Sequence, residues 1–139
     1  MKKRSLVLVI SLFLLLGMLF STASAASQVQ PRYAKIHTIT SELLSINWLG
    51  KATFCGSADS LDSTCRLELY VELQRSADGF DGWTTIKTWS TTGYEDVVIE
   101  ESHYVASGYY YRIGTIVIVY DSNGNFIESD AISSAVLYH

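Results

Sequence analysis

The sequence predicts an all-β domain, an antiparallel sandwich of two packed sheets with about seven strands. Three observations carry this expectation. Val, Ile and Thr gather in short runs beyond residue 25, alongside nine tyrosines, three tryptophans and a single proline, a composition that suits strands. No apolar i, i+3, i+4, i+7 stripe long enough for a helix follows the first 25 residues. Clusters of turn-forming residues then separate the apolar runs at fairly regular intervals. A small barrel is the alternative closure of the same strands.

The first element is an export signal. Lys2, Lys3 and Arg4 precede an apolar run from Leu6 to Phe20, which is short of the roughly 20 residues a helix needs to span a bilayer. Ser21-Thr22-Ala23-Ser24-Ala25 then supplies the small residues of an Ala-x-Ala cleavage site. Residues 1–25 are therefore expected to be removed, leaving a flexible leader at 26–32 and one domain at 33–139 with no membrane anchor of its own. Localisation is expected to be extracellular, free or held on the cell wall.

Strands are predicted over Tyr33 to Ile46 and Lys51 to Ala58, divided by Trp48-Leu49-Gly50. The clearest alternation runs from Thr64 to Arg75, where Cys65, Leu67, Leu69, Val71 and Leu73 share one face. Ala77 to Gly82 is a turn cluster leading to a strand from Trp83 to Ser90, and another strand is expected around Tyr94 to Ile99. A long strand from Tyr109 to Tyr120 places Tyr109, Tyr111, Ile113, Thr115, Val117 and Val119 on one side. Asn123-Gly124 favours a tight hairpin, after which the last strand is expected from about Asn125 to Tyr138.

Charge limits the partners. Three of the ten Lys and Arg lie in the signal, leaving seven against fourteen Asp and Glu, a net charge of −7 for the mature chain. With its basic residues scattered singly, such a chain offers no electrostatic footprint for nucleic acid or for anionic membranes.

Few residues point to catalysis. Cys55 and Cys65 in an exported protein are expected to form a disulfide, which would stabilise the domain by roughly 2–3 kcal/mol. His37, His103 and His139 each stand alone, so no metal site or cofactor is expected. Asp78 and Asp81 flank a glycine turn but lack the ligand order of a calcium loop. Glu95-Asp96 and Glu100-Glu101 are the carboxylate pairs that a glycosidase would need, yet solvated strand ends explain them better. The aromatic residues are more suggestive. In a regular strand Trp83 and Trp89 share a face with Thr85 and Lys87 while Ile86 faces the other way, so either a bulge intervenes and one tryptophan turns inward, or a tryptophan is exposed for binding. Outward Tyr70, Tyr110 and Tyr120 could extend that surface, which suits sugar rings or a protein partner.

Two resemblances add to this reading. Val105-Ala106-Ser107-Gly108-Tyr109-Tyr110-Tyr111-Arg112-Ile113 resembles the entry to the penultimate strand of fibronectin type III and other immunoglobulin-like domains, which implies that Tyr111 packs inward and hydrogen-bonds across the corner. Pro31-Arg32-Tyr33, Gly50-Lys51-Ala52-Thr53, Leu73-Gln74-Arg75-Ser76, Trp83 to Ser90, Ser107 to Arg112 and Val119 to Gly124 together resemble a group of small secreted proteins of Gram-positive bacteria. That likeness implies a secreted domain and no particular chemistry. The expected function is a non-catalytic module that recognises a glycan, a cell-wall polymer or a protein. A small carboxylate-dependent hydrolase and a secreted toxin or antimicrobial protein are the alternatives.

Overall fold

The computed structural model describes residues 34–139, so the expected signal peptide and leader lie outside the described residues. Eight strands follow in order: β1 (Ile36–Ile46), β2 (Lys51–Ser60), β3 (Arg66–Ser76), β4 (Thr84–Tyr94), β5 (Asp96–Tyr104), β6 (Tyr110–Tyr120), β7 (Phe126–Ser133) and the two-residue β8 (Leu137–Tyr138). They form a small sheet in the order β1-β2-β5 and a larger one in the order β4-β3-β6-β7, with β8 beside the start of β6. Every pairing is antiparallel. This is a two-sheet antiparallel β-sandwich, as the sequence predicts.

Alternation builds the core. Leu67, Leu69, Val71 and Leu73 of β3 and Tyr111, Ile113, Val117 and Val119 of β6 are fully buried and meet Ala52, Phe54 and Ala58 of β2. The sheets approach most closely at Gly56. A Cβ there would collide with Val71 Cγ2 and come 2.8 Å from Thr115 Oγ1, so only glycine fits between the sheets. Thr115 is fully buried and its hydroxyl has no hydrogen-bond partner among the described residues. At one end of the sandwich Tyr111 donates a 2.6 Å hydrogen bond from its hydroxyl to the Ala106 carbonyl, closing the corner between β5 and β6. Burial pushes the pKa of that hydroxyl up.

The strand limits differ from expectation in three instructive places. Strand β1 begins at Ile36, because the N–H groups of Ala34, Lys35 and Ile36 all donate to the Glu128 carboxylate of β7 at 2.6–2.8 Å. That carboxylate ties the edge of the small sheet to the edge of the large one. The fourth strand runs on to Tyr94, leaving Glu95 alone between β4 and β5; its φ of 66° makes the turn from one sheet to the other. The expected last strand is divided, because Ser134 takes both backbone groups of Ile113, its N–H donating at 2.8 Å and its hydroxyl accepting at 2.9 Å. The chain leaves the sheet there and rejoins it at Leu137.

Candidate functional site

The outer faces of the two sheets differ in chemistry. On the large sheet, the outward positions of β3 are Arg66, Glu68, Tyr70, Glu72 and Gln74, opposite Tyr120, Ile118, Ile116, Gly114 and Arg112 of β6. Tyr94 and Ser90 of β4 flank this pair of strands on one side, opposite Arg66 and Tyr70. Phe126 of β7 lies opposite Tyr120 on the other side. Tyr110 and Tyr138 pair at the start of β6. Four strands at about 4.8 Å spacing and about 11 residues long give a face on the order of 600 Å². That approaches the roughly 800 Å² each partner contributes to a standard protein interface.

The side chains on this face hold one another in place. The Arg66 guanidinium lies 4.4 Å from the centroid of the Tyr120 ring and pairs with Glu68, which also accepts from the Tyr70 hydroxyl at 3.2 Å. The Arg66 hydrogen bond holds the Glu68 carboxyl below the usual carboxylate range. Tyr120 meets Phe126 edge to face at 6.4 Å. Further along, Arg112 stacks 4.2 Å over Trp83 and donates from Nε to Gln74 at 2.8 Å, while Gln74 and Thr85 both donate to Glu72. Rings fixed in this way lose less conformational freedom when a ligand settles on them.

The two tryptophans part company. Leu73 pairs with Lys87 and Gln74 with Thr85, so Ile86 is an extra residue in β4. The bulge reverses the phase, placing Trp83 beside Arg112 on the outer face and Trp89 opposite buried Val71. Trp89 packs 4.8 Å from Phe54 and 5.9 Å from His103, with Lys87 Nζ 4.9 Å over its ring. It belongs to the margin of the core, which removes it from the expected binding surface. Tyr70, Tyr110, Tyr120 and Trp83 do share one outer face.

On the small sheet the outward rows are shorter and mixed, with polar residues beside exposed Val98 and Tyr104. Thr40 and Ser57 hydroxyls lie 2.7 Å apart, with Val98 beyond Ser57; Cys55 sits between Glu42 of β1 and Glu100 of β5. Lys51, Thr53, Glu100 and Ser102 border an open depression of about 380 Å³, with Leu44, Phe54 and Glu101 at its margins. Glu100 and Glu101 are consecutive in β5, so they project to opposite sides of the strand and do not face each other as an acid and a nucleophile. Glu95 lies in the intersheet turn and Asp96 opposite Asp59. Among the described residues no three His, Cys, Asp or Glu side chains gather as a metal site.

The expected disulfide is corrected by this phase. Cys55 and Cys65 are both free. Inward positions of β2 are the even-numbered Ala52, Phe54, Gly56 and Ala58, so Cys55 points away from the core, whereas Cys65 enters it ahead of Leu67. One thiol is on the outer surface of the small sheet and the other lies between the sheets, so they cannot bond without rearranging a strand. Burial, then the Glu100 and Glu42 carboxylates, pushes the Cys55 thiol up; burial and Asp62 do the same for Cys65. Both are held as thiols, the weaker nucleophilic form.

The fold and its outer face define a class: a β-sandwich domain with a cation-braced aromatic surface. No family model matches this chain, and no curated protein matches it significantly.

Proposed function

We propose that this chain is a secreted, non-catalytic recognition module whose outer large-sheet face takes a glycan, a cell-wall polymer or a protein. The observation that carries this reading is the gathering of Trp83, Tyr70, Tyr110 and Tyr120 on one face, interleaved with Arg66 and Arg112. Folding requires no large aromatic residues at outward positions, and half-exposed aromatic rings gathered on the solvent face of a sheet among polar groups suit a binding surface. The N-terminal signal and the resemblance to small secreted proteins of Gram-positive bacteria support a target outside the cell, including the wall itself. Divergent Glu100 and Glu101 and thiols held in the protonated form favour binding over hydrolysis.

The test is a pull-down of the mature protein on insoluble Gram-positive cell walls, with a glycan array in parallel. Saturable binding that falls at least tenfold in Trp83→Ala and Tyr70→Ala, both still cooperatively folded, is the expected result. Binding unaffected by either change would reject this face. A parent protein that binds neither walls nor glycans would reject the carbohydrate and wall forms of the reading and leave a protein partner.

A further inference from the structure

A second feature lies where the large face meets the end of the sandwich. The β3–β4 loop turns at Gly79, whose Cα sits against the ring of Tyr110: a Cβ there would be 2.9 Å from the ring atoms Cγ and Cδ1, and φ is +80°. Tyr110 is flanked by Tyr138, their ring centroids 4.9 Å apart and their planes tilted by 58°. Phe80, 89% exposed at the tip of the loop, and Val136 complete the walls of an open pocket of about 380 Å³. Its remaining lining residue is Asp78.

Asp78 is already oriented. Its Oδ1 accepts from the backbone N–H groups of Phe80 at 2.9 Å and Asp81 at 3.1 Å, and among the described residues its Oδ2 has no partner. These bonds hold the carboxyl below the usual carboxylate range. The pocket therefore combines three aromatic rings with one anion, and none of its lining residues is basic. Ring faces carry a negative quadrupole potential that attracts a cation, and the carboxylate adds to it. The mature chain's net charge of −7 points the same way.

We infer that the pocket formed by Asp78, Phe80, Tyr110, Val136 and Tyr138 binds an organic ammonium group, such as a quaternary amine or a lysine-like primary amine carried on a larger molecule. The ammonium would sit against the tyrosine and phenylalanine rings, with Asp78 Oδ2 as its counter-ion. A neutral group of the same shape would gain the apolar contact alone. The pocket borders the aromatic face and shares Tyr110 with it, but Asp78 and Phe80 belong to the pocket alone, so variants at those two positions test it independently of the ligand proposed for the face.

Choline, butylammonium and 3,3-dimethylbutan-1-ol, the neutral analogue of choline, discriminate among the outcomes when titrated into the ¹⁵N-labelled mature protein by NMR. Choline or butylammonium should shift the Gly79, Phe80, Tyr110 and Tyr138 signals saturably, with the preferred cation distinguishing the two ammonium types. The neutral alcohol should bind at least tenfold more weakly. Asp78→Asn retains the Oδ1 acceptor and removes the charge; it should weaken cation binding at least fivefold, as should Phe80→Ala at the exposed loop tip. Equal binding of choline and the alcohol, cation binding unchanged in Asp78→Asn, shifts elsewhere only, or no shift at tens of millimolar would each overturn the inference.

Discussion

The two outer faces of this sandwich are built on the same antiparallel ladder yet differ in chemistry, the large one braced by arginine-aromatic stacks and the small one mixing polar residues with Val98 and Tyr104. The large sheet presents Tyr70, Tyr94, Tyr120, Phe126 and Trp83 braced by Arg66 and Arg112, while the small sheet presents Thr40, Ser57, Thr53 and Cys55 between Glu42 and Glu100. Inward positions of both sheets are constrained by packing and outward positions are not, so the difference between the outer faces is information about function rather than folding.

The contrast between inside and outside can be tested within one strand. Gly56→Val places a branched side chain where a Cβ already collides with Val71 and approaches Thr115, and it should cost about 3 kcal/mol or more, measured by urea unfolding. Ser57→Val, one residue along on the outer face, loses only the bond to Thr40 and should cost under about 1 kcal/mol. Equal effects would mean that the sheets do not pack through Gly56.

The tryptophans divide the large sheet in the same way. Trp89→Ala removes the contact with Phe54 and should destabilise by about 2–3 kcal/mol, whereas Trp83→Ala, half-buried on the outer face against Arg112, should cost only about 1 kcal/mol while losing binding. A reversal would place the bulge at Ile86 in error. Tyr111→Phe should cost about 1 kcal/mol through the lost bond to Ala106, read as a lower unfolding midpoint.

The smallest expected effect concerns the cysteines. Intact mass should show both thiols free, and native alkylation should label Cys55 slowly and Cys65 only after denaturation, because the first lies on the outer small-sheet face and the second in the core. A native mass two hydrogens lower would contradict the strand phase described above.

Much of the fold was legible because long alternating runs such as Leu67 to Leu73 and Tyr111 to Val119 declare both strand and inner face. The small sheet was harder to phase. Three of the four inward residues of β2 are Ala52, Gly56 and Ala58, whose small side chains blur the apolar pattern, and the disulfide expectation failed for that reason. The bulge at Ile86 was foreseen as one way to separate Trp83 from Trp89, but its place depends on the pairing with Leu73 and Gln74. Tyr70, Tyr110 and Tyr120 could be assigned outward from alternation alone. Arg66, Arg112, Tyr94 and Phe126 were not recognised as their neighbours, since β3 to β6 is a non-local pairing that no local pattern specifies.

The central claim is that the outer large-sheet face, and not the small one, meets the target. The most direct measurement compares wall binding of Ser90→Glu, which plants a charge beside Tyr70 on the large sheet, with Val98→Glu, which does so beside Ser57 on the small sheet; both positions are exposed. With both variants melting as the parent does, the account predicts binding reduced at least tenfold by Ser90→Glu and unchanged by Val98→Glu. Loss of binding in Val98→Glu alone would contradict it.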